Sequence, residues 1–278
     1  FKKNIINLFF SIFIIFFSFL KSLVILYKVK PLLVFGMGGH ASFPVCIAAK
    51  TLNIPFIIYE NNIQIGKSNK YLLPFALKIF VSYQDLLGIE KKYEHKVIAT
   101  GNIIREEFLN FKKNKEFPAE ILNILVLGGS QAAKSFGEFL PKIFTQCKKE
   151  NITIKIFQQC IKSQTESLDE IYKNLNFDFE LFNFTNNILE YFSKTELAIT
   201  RSGSSVTAEL INCNIPFISI PYPHASDSHQ DKNATYFAQK GLSLSVKEEN
   251  VDEKLFPLIK KFYKDKKLLD KIIEKQKK

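Results

Sequence analysis

An α/β architecture, with two parallel-sheet domains facing one cleft, is predicted by three features of the sequence. Short apolar runs of strand length alternate with stretches of helical character along nearly the whole chain, the pattern of a parallel sheet with crossover helices. Most of these runs end in turns built from glycine, asparagine or serine, where the backbone can bend tightly and approach a ligand. A polar, lysine-rich stretch at residues 108–120, containing Pro118, separates two such series and reads as a linker. The predicted domains are therefore 1–107 and 121–278.

The first domain opens on its most apolar segment, Ile5 to Leu20. Sixteen residues rise about 24 Å as a helix, short of a hydrocarbon core about 30 Å thick. Asn4, Asn7, Ser11, Ser18 and Ser22 share one narrow helical stripe, which predicts packing within the fold or residence at an interface rather than a bilayer span. The segment also lacks the small-residue cleavage site of a signal peptide. Leu32 to Phe35 is a predicted strand running into Gly36-Met37-Gly38-Gly39-His40, and a helix follows near Ser42 to Leu52. Further strands are predicted at Phe56 to Tyr59, ending in Glu60-Asn61-Asn62, at Ile79 to Ser82, and at Val97 to Thr100, ending in Gly101-Asn102.

In the second domain Ile121 to Leu127 feeds Gly128-Gly129-Ser130-Gln131 and a helix to about Glu150. Ile152 to Gln158 is the next strand, and from Val251 the tail is lysine-rich and helical. The chemistry concentrates between Ile199 and Asn233. There an apolar run, Leu197 to Thr200, stops at Arg201-Ser202-Gly203-Ser204-Ser205 before a helix that carries Glu209. Unpaired backbone N–H groups and the helix dipole make such a turn an anion site. A second run, Phe217 to Ile220, ends at Pro221 and Pro223, and the segment after it holds His224, Asp227, His229, Gln230 and Asn233. Two strand ends thus present polar side chains to one crevice, where open α/β sheets bind ligands.

Composition is that of a folded protein, with 46% hydrophobic and 23% charged residues, which excludes disorder as the default. The net charge of +11 suits nucleic acid, anionic lipid or a phosphorylated substrate, or follows from a general bias toward lysine. Dispersed lysines argue against a nucleic-acid reader, which needs basic and aromatic residues clustered on one face. The four cysteines, Cys46, Cys147, Cys160 and Cys213, have no metal-ligand spacing and point to a reducing compartment. His224 and His229 with Asp227 lack a known ligand pattern, so no metal is expected.

The motifs resemble those of the MurG glycosyltransferases. Arg201-Ser202-Gly203 with Glu209 eight residues after Arg201, the PxPHxxxxHQxxNA pattern from Pro221, Gly128-Gly129-Ser130-Gln131, Gly36-Met37-Gly38-Gly39-His40, Tyr59-Glu60-Asn61-Asn62 and Thr100-Gly101-Asn102-Ile103-Ile104-Arg105 stand where that family has RSG, its donor loop, GGSQGA, GxGGY, HEQN and TGNPxR. The resemblance implies two Rossmann-like domains of GT-B architecture with the N-terminal one incomplete, since the sequence starts at Phe1 and the family's opening glycine loop, with its candidate catalytic base, is not in it. It also implies contacts to UDP-N-acetylglucosamine from Asn62, Arg105, Ser130, Gln131, Thr185, Ser204, Ser205, Val206, Glu209, His229 and Gln230. Glu60 would support catalysis, whereas His40, in the register of the second glycine loop, is not assigned as the base. The implied reaction is inverting transfer of N-acetylglucosamine to the C4 hydroxyl of the muramoyl sugar of lipid I, without a cofactor. The alternatives are a UDP-sugar-binding remnant without turnover and a related diacylglycerol glycosyltransferase. Its place would be peripheral, on the cytoplasmic face of the bacterial plasma membrane, with the acceptor lipid and an anionic membrane surface as partners. Departures are Tyr59 for His, Ile103 for Pro, Ser205-Val206 for a bulkier residue followed by Thr, and Gln158-Gln159-Cys160 for HQxG.

Overall fold

A computed structural model describes residues 2–112, 117–225 and 228–277, with the side chains of all of these except 2–9, 11 and 130–133. The chain divides into two compact units, Phe1–Ile103 and Ile104–Lys278.

The first unit begins with a long helix, α1 (Lys2–Val29), followed by β1 (Val34–Gly36), α2 (Gly39–Thr51), β2 (Phe56–Glu60), α3 (Lys67–Leu72), β3 (Ile79–Val81) and β4 (Val97–Ala99). The strands form one parallel sheet in the order β1-β2-β3-β4, with Val34 beside Phe56, Ile58 beside Ile79 and Ile79 beside Val97. Phe56, Ile58, Ile79 and Val81 bury completely or nearly so against Cys46, Ala48 and Ala49 of α2. Tight β1–α2 packing requires the small residue at Gly36, where an added Cβ would sit 2.6 Å from Cys46 Sγ.

Helix α1 differs from its sequence reading in length and in facing. Its 28 residues span about 42 Å, and the window Ile12–Val29 is long and apolar enough to cross a membrane by length and composition. Helical character continues past Leu20 through Lys21 to Val29, so the helix is not limited to the 16 apolar residues. Leu26, Phe19 and Leu23 pack on the core with buried Ser22, whose hydroxyl donates to the Ser18 carbonyl at 2.7 Å. Phe10, Phe13, Phe16, Phe17, Leu20 and Val24 lie on the outside. The small polar residues of the stripe, where described, thus face the fold together with Phe19, Leu23 and Leu26, and the other large apolar residues face outward.

The second unit carries α4 (Glu106–Leu109), β5 (Leu122–Leu127), α5 (Gly129–Lys149), β6 (Ile154–Gln159), α6 (Thr165–Asn174), β7 (Asp178–Phe182), α7 (Ile188–Ser193), β8 (Leu197–Thr200), α8 (Ser204–Asn212), β9 (Phe217–Ser219), α9 (His229–Gln239), β10 (Leu244–Ser245), α10 (Val251–Lys264) and α11 (Lys267–Gln276). Six parallel strands run β10-β9-β8-β5-β6-β7, which in the unit's own count is the doubly wound order 3-2-1-4-5-6. Central β5 and β8 are buried at every residue, as a strand covered on both faces must be. Phe136, Leu140, Ile143 and Phe144 of α5 and Leu255 and Ile259 of α10 close one core with Ile124, Ile156 and Ile199.

Helix ends share one device. Asn53, Asn151, Asn176 and Asn214 all take the left-handed conformation directly after α2, α5, α6 and α8. Each is followed by an apolar residue, Ile54, Ile152, Phe177 or Ile215, whose N–H returns to a carbonyl in the last helical turn. This is the Schellman cap with asparagine in the place glycine usually takes, and it aims each chain into the next strand. All four cysteines are buried and unbridged. Burial pushes the Cys46 thiol up to about 11 and those of Cys147 and Cys213 up to about 12, so these three are not poised as nucleophiles.

Candidate active site in the second unit

Strand order reverses between β5 and β8, so their C-terminal ends feed helices on opposite faces of the sheet and leave a crevice. The hydroxyl of Thr200 donates to the Leu127 carbonyl at 3.0 Å and ties these two ends together. Above them lies a cleft of about 420 Å³ lined by Gly128, Gly129, Gln159, Ile188, Arg201, Gly203, Val206, Glu209, Tyr222 and Gln230, among others.

Two helix N-termini frame it. Gly129 opens α5 at φ +65° with nothing within 4 Å of an added Cβ, so conformation rather than crowding calls for glycine there. Its N–H donates to Gln159 Oε1 at 3.0 Å, and Gln159 Nε2 reaches the Asn183 carbonyl. Ser130 and Gln131 occupy the first turn of α5, and their side chains lie outside the described residues, as does Asp227. Helix α8 begins at Ser204, with Ser205 and Val206 completing the stretch whose N–H groups have no partner within the helix. Ser204 is buried, Ser205 exposed, and Val206 lines the cleft.

Glu209 stands on the same helix, inside the cleft. Burial raises its carboxyl above the ordinary range, and the Arg105 guanidinium pulls it back. Its Oε1 accepts from Arg105 Nε and Nη2, each at 3.3 Å. Arg105 belongs to the second unit, at the N-cap of α4. That short helix is docked by buried Phe108, edge-on to Phe192 at 5.5 Å, while Asn212 Nδ2 donates to the Phe108 carbonyl at 2.8 Å.

On the far wall Gln230 accepts through Oε1 from the Tyr222 N–H at 3.0 Å. His229, one residue earlier, opens α9 outside the cleft lining, and buried Asn233 donates to the Ser202 carbonyl. Thr185 does not line the cleft. Its hydroxyl accepts the Asn187 N–H at 3.0 Å and sets up α7, which brings Ile188 to the wall.

Arg201 has a different role from its neighbours. Only 4% exposed, it donates to the carbonyls of Ile220 and Pro221 and to Ser135 Oγ, pairs with Glu248 at 2.5 Å, and lies over the rings of Phe136 and Tyr222. Burial lowers its affinity for the proton, and Glu248 offsets part of that loss. It binds together the segments that carry the site.

Asn62 belongs to the first unit and is not among the residues lining this cleft. Its side-chain amide donates to Glu60 Oε1 at 2.9 Å. Glu60 itself is buried and accepts four hydrogen bonds, from Asn62 N and Nδ2, Gly66 N and Asn69 Nδ2. With both oxygens engaged, its carboxylate organises the 61–66 loop. His40, second residue of α2, is exposed, as is His95.

Motif reading missed Gln159, Ile188 and Tyr222. Gln159 carried a signal, as the last residue of a strand at the carboxyl edge of the sheet, whereas Ile188 and Tyr222 reach the cleft only through the sheet order.

Family models agree with this architecture. The glycosyltransferase family 28 C-terminal domain matches residues 123–278 and the family 28 N-terminal domain residues 2–81. The UDP-N-acetylglucosamine–N-acetylmuramyl-(pentapeptide) pyrophosphoryl-undecaprenol N-acetylglucosamine transferase of Pelagibacter ubique is 35% identical over 243 residues, covering 87% of this chain and 67% of that protein. Its namesake from Rickettsia felis is 34% identical over 257 residues, with 87% and 71% covered. The chain belongs to the MurG family. In structure, the MurG of Acinetobacter baumannii superposes with a TM-score of 0.77 at 25% identity, over 95% of this chain and 75% of that one. A UDP complex of S. aureus MnaA, at 16% identity and a TM-score of 0.65, shares the fold. MurG membership places the two parallel-sheet units in the GT-B class of glycosyltransferases.

Proposed function

We propose that this chain transfers N-acetylglucosamine from UDP-N-acetylglucosamine to the C4 hydroxyl of the muramoyl sugar of lipid I, with inversion, in the synthesis of peptidoglycan. The observation that carries the reading is the position of Glu209: a half-buried carboxylate on the wall of a cleft framed by the N-termini of α5 and α8. In this reading the diphosphate lies against the amides of the Gly128–Gln131 and Ser204–Val206 turns, which favour negative charge. Glu209 accepts from the two ribose hydroxyls, and the base lies toward Thr185 and Ile188. Gln230, with His229 beside it, takes the sugar hydroxyls, since amide and imidazole can donate and accept. As the glycosidic bond breaks, charge grows on the departing diphosphate, and fixed amides stabilise it without reorganising. Asn62 and Glu60 are read as acceptor-side supports, and no residue is assigned as the base that takes the C4 hydroxyl proton.

Peripheral residence at the cytoplasmic face of the membrane is part of the proposal. Helix α1 has one side in the core of its unit through Leu26, Ser22, Leu23 and Phe19, so lipid cannot surround it. Its outward phenylalanines, with Lys21 and Lys28 exposed along its C-terminal half and Lys30 just beyond its end, fit a helix lying in an anionic interface.

The test is turnover by the purified chain with UDP-N-acetylglucosamine and a short-chain lipid I analogue. The expected outcome is release of UDP and a product heavier by one N-acetylhexosamine, lost in Glu209→Ala. Transfer to diacylglycerol instead, or full activity in Glu209→Ala, would overturn the reading.

A further inference from the structure

Glu209 is already occupied. Arg105 makes two contacts to it, both at 3.3 Å and both to Oε1, longer than a charge-assisted hydrogen bond of full strength. Arg105 also divides its charge, for Nη1 lies 2.8 Å from Glu107 Oε1. Its side chain is 54% exposed while that of Glu209 is 17% exposed. The guanidinium therefore sits at the mouth of the cleft, leaning on the Phe108 ring at 4.5 Å, with its partner further in. A cation in that position is mobile at little cost, and the carboxylate it covers is the group proposed to take the ribose.

We infer that the Arg105–Glu209 pair makes the site selective for a phosphorylated nucleoside. A diphosphate at the α5 and α8 N-termini gives Arg105 a stronger partner than one carboxylate oxygen, because phosphate offers bidentate acceptance and more charge. Arg105 moves to it, and Glu209 is released to the ribose hydroxyls. A nucleoside without phosphate has to break the pair and provides nothing in exchange. Selectivity of this kind comes from penalising the wrong ligand as well as from rewarding the right one. The inference rests on the proposed reading of the cleft and adds which half of the ligand opens it.

Calorimetric titration at pH 8 with uridine and with UDP separates the possibilities. In Arg105→Ala, UDP binding weakens by about tenfold or more, the effect of losing charge-assisted bonds to phosphate. Uridine binding tightens by about two- to fivefold, the strength of an exposed ion pair that no longer has to be broken. Arg105→Lys, which keeps the charge but not the fork, falls between. Arg105 is exposed, so melting temperatures of the variants are expected to match the wild type. Uridine affinity that is unchanged, or that falls in parallel with UDP affinity in Arg105→Ala, overturns the inference, because it makes Arg105 a support for Glu209 and not its competitor. A wild-type chain that melts cooperatively yet binds neither ligand removes the proposed function, and this inference with it.

Discussion

Replacing Glu248 with alanine strands a buried cation, and the consequence can be worked out from the environment of Arg201. That guanidinium is 4% exposed and draws on two carbonyls, one hydroxyl, two aromatic faces and a single carboxylate. Removing one partner of a fully buried pair costs about 3–5 kcal/mol. The Glu248 side chain is 28% exposed, so water offsets part of this and about 2–3 kcal/mol is expected. For a unit of this size each kcal/mol lowers the melting temperature by about 2–4 °C, which gives a fall of about 4–12 °C. With no tryptophan in the chain, far-UV circular dichroism is the suitable probe. A relaxed Arg201 also lets the Pro221–Tyr222 backbone drift, and with it the Tyr222 N–H that holds Gln230, so UDP-sugar affinity falls too. The decisive comparison is Glu248→Ala against the double variant Arg201→Met/Glu248→Ala. Removing the stranded charge restores part of the loss, so the double variant melts above the single one. A Glu248→Ala shift below about 2 °C, or a double variant that loses the sum of the two single losses, would refute this account of Arg201 as the buried cation on which the site is assembled.

Four further outcomes are expected. The Glu209 carboxyl is raised above its ordinary value of 4.5 by burial, so UDP affinity, measured by calorimetry, falls as pH drops through a midpoint above that value and is flat across the same range in Glu209→Gln. The raised value also means that the folded state takes the proton more readily than the unfolded chain, so Glu209 favours folding below its ordinary value and loses this as pH rises; Glu209→Gln melts higher than wild type at neutral pH. Glu60→Gln turns an amide N–H₂ toward donors that expect an acceptor and lowers stability by about 2–3 kcal/mol, read as a melting shift. Phe13→Ser/Phe17→Ser weakens co-sedimentation with anionic vesicles by about 150-fold or more, from about 1.5–3 kcal/mol per buried phenylalanine, and leaves UDP affinity unchanged.

Sheet class and the site-bearing turns were legible because glycine and proline punctuate them: Gly128-Gly129, Gly203 and Pro221 each fall where a strand ends and a helix or loop takes over. Glu209 was legible because its distance from that punctuation puts it on the second turn of a helix. Ile188 and Tyr222 were not, since they come to the cleft beside Gln159 of β6 from α7 and the β9–α9 loop, and adjacency among these exists only once β5 lies between β6 and β8. The buried destiny of Arg201 was equally hidden, because its carboxylate partner is 47 residues away in sequence. For α1 the periodicity shows the stripe but leaves its facing open: serine permits close approach of α2, and size rather than polarity decides which side packs. The four asparagine caps did leave a trace, an Asn followed by Ile or Phe at the end of each helical stretch, and would have sharpened those helix ends.

Two departures from the family's motifs prove to be one. Where MurG proteins carry HEQN and TGNPxR, this chain has Tyr59 and Ile103. Proline has no N–H, whereas isoleucine brings one that needs an acceptor at a backbone turn. The Tyr59 hydroxyl accepts the Ile103 N–H at 3.0 Å while sharing a hydrogen bond with Ser82 Oγ at 2.7 Å and donating toward the Gly101 carbonyl at 3.3 Å. A phenol has one proton and two lone pairs, so if Ser82 donates, all three contacts are satisfied at once. The exchange of His for Tyr thus supplies the acceptor that the exchange of Pro for Ile requires. A thermodynamic cycle of Tyr59→His, Ile103→Pro and the pair tests it. Tyr59→His alone leaves the Ile103 N–H without this acceptor and costs about 1–3 kcal/mol, Ile103→Pro alone removes the donor, and the double variant recovers about 1 kcal/mol relative to their sum. Additive losses would mean that the two positions changed independently and that the hydroxyl is held by Ser82 and Gly101 alone.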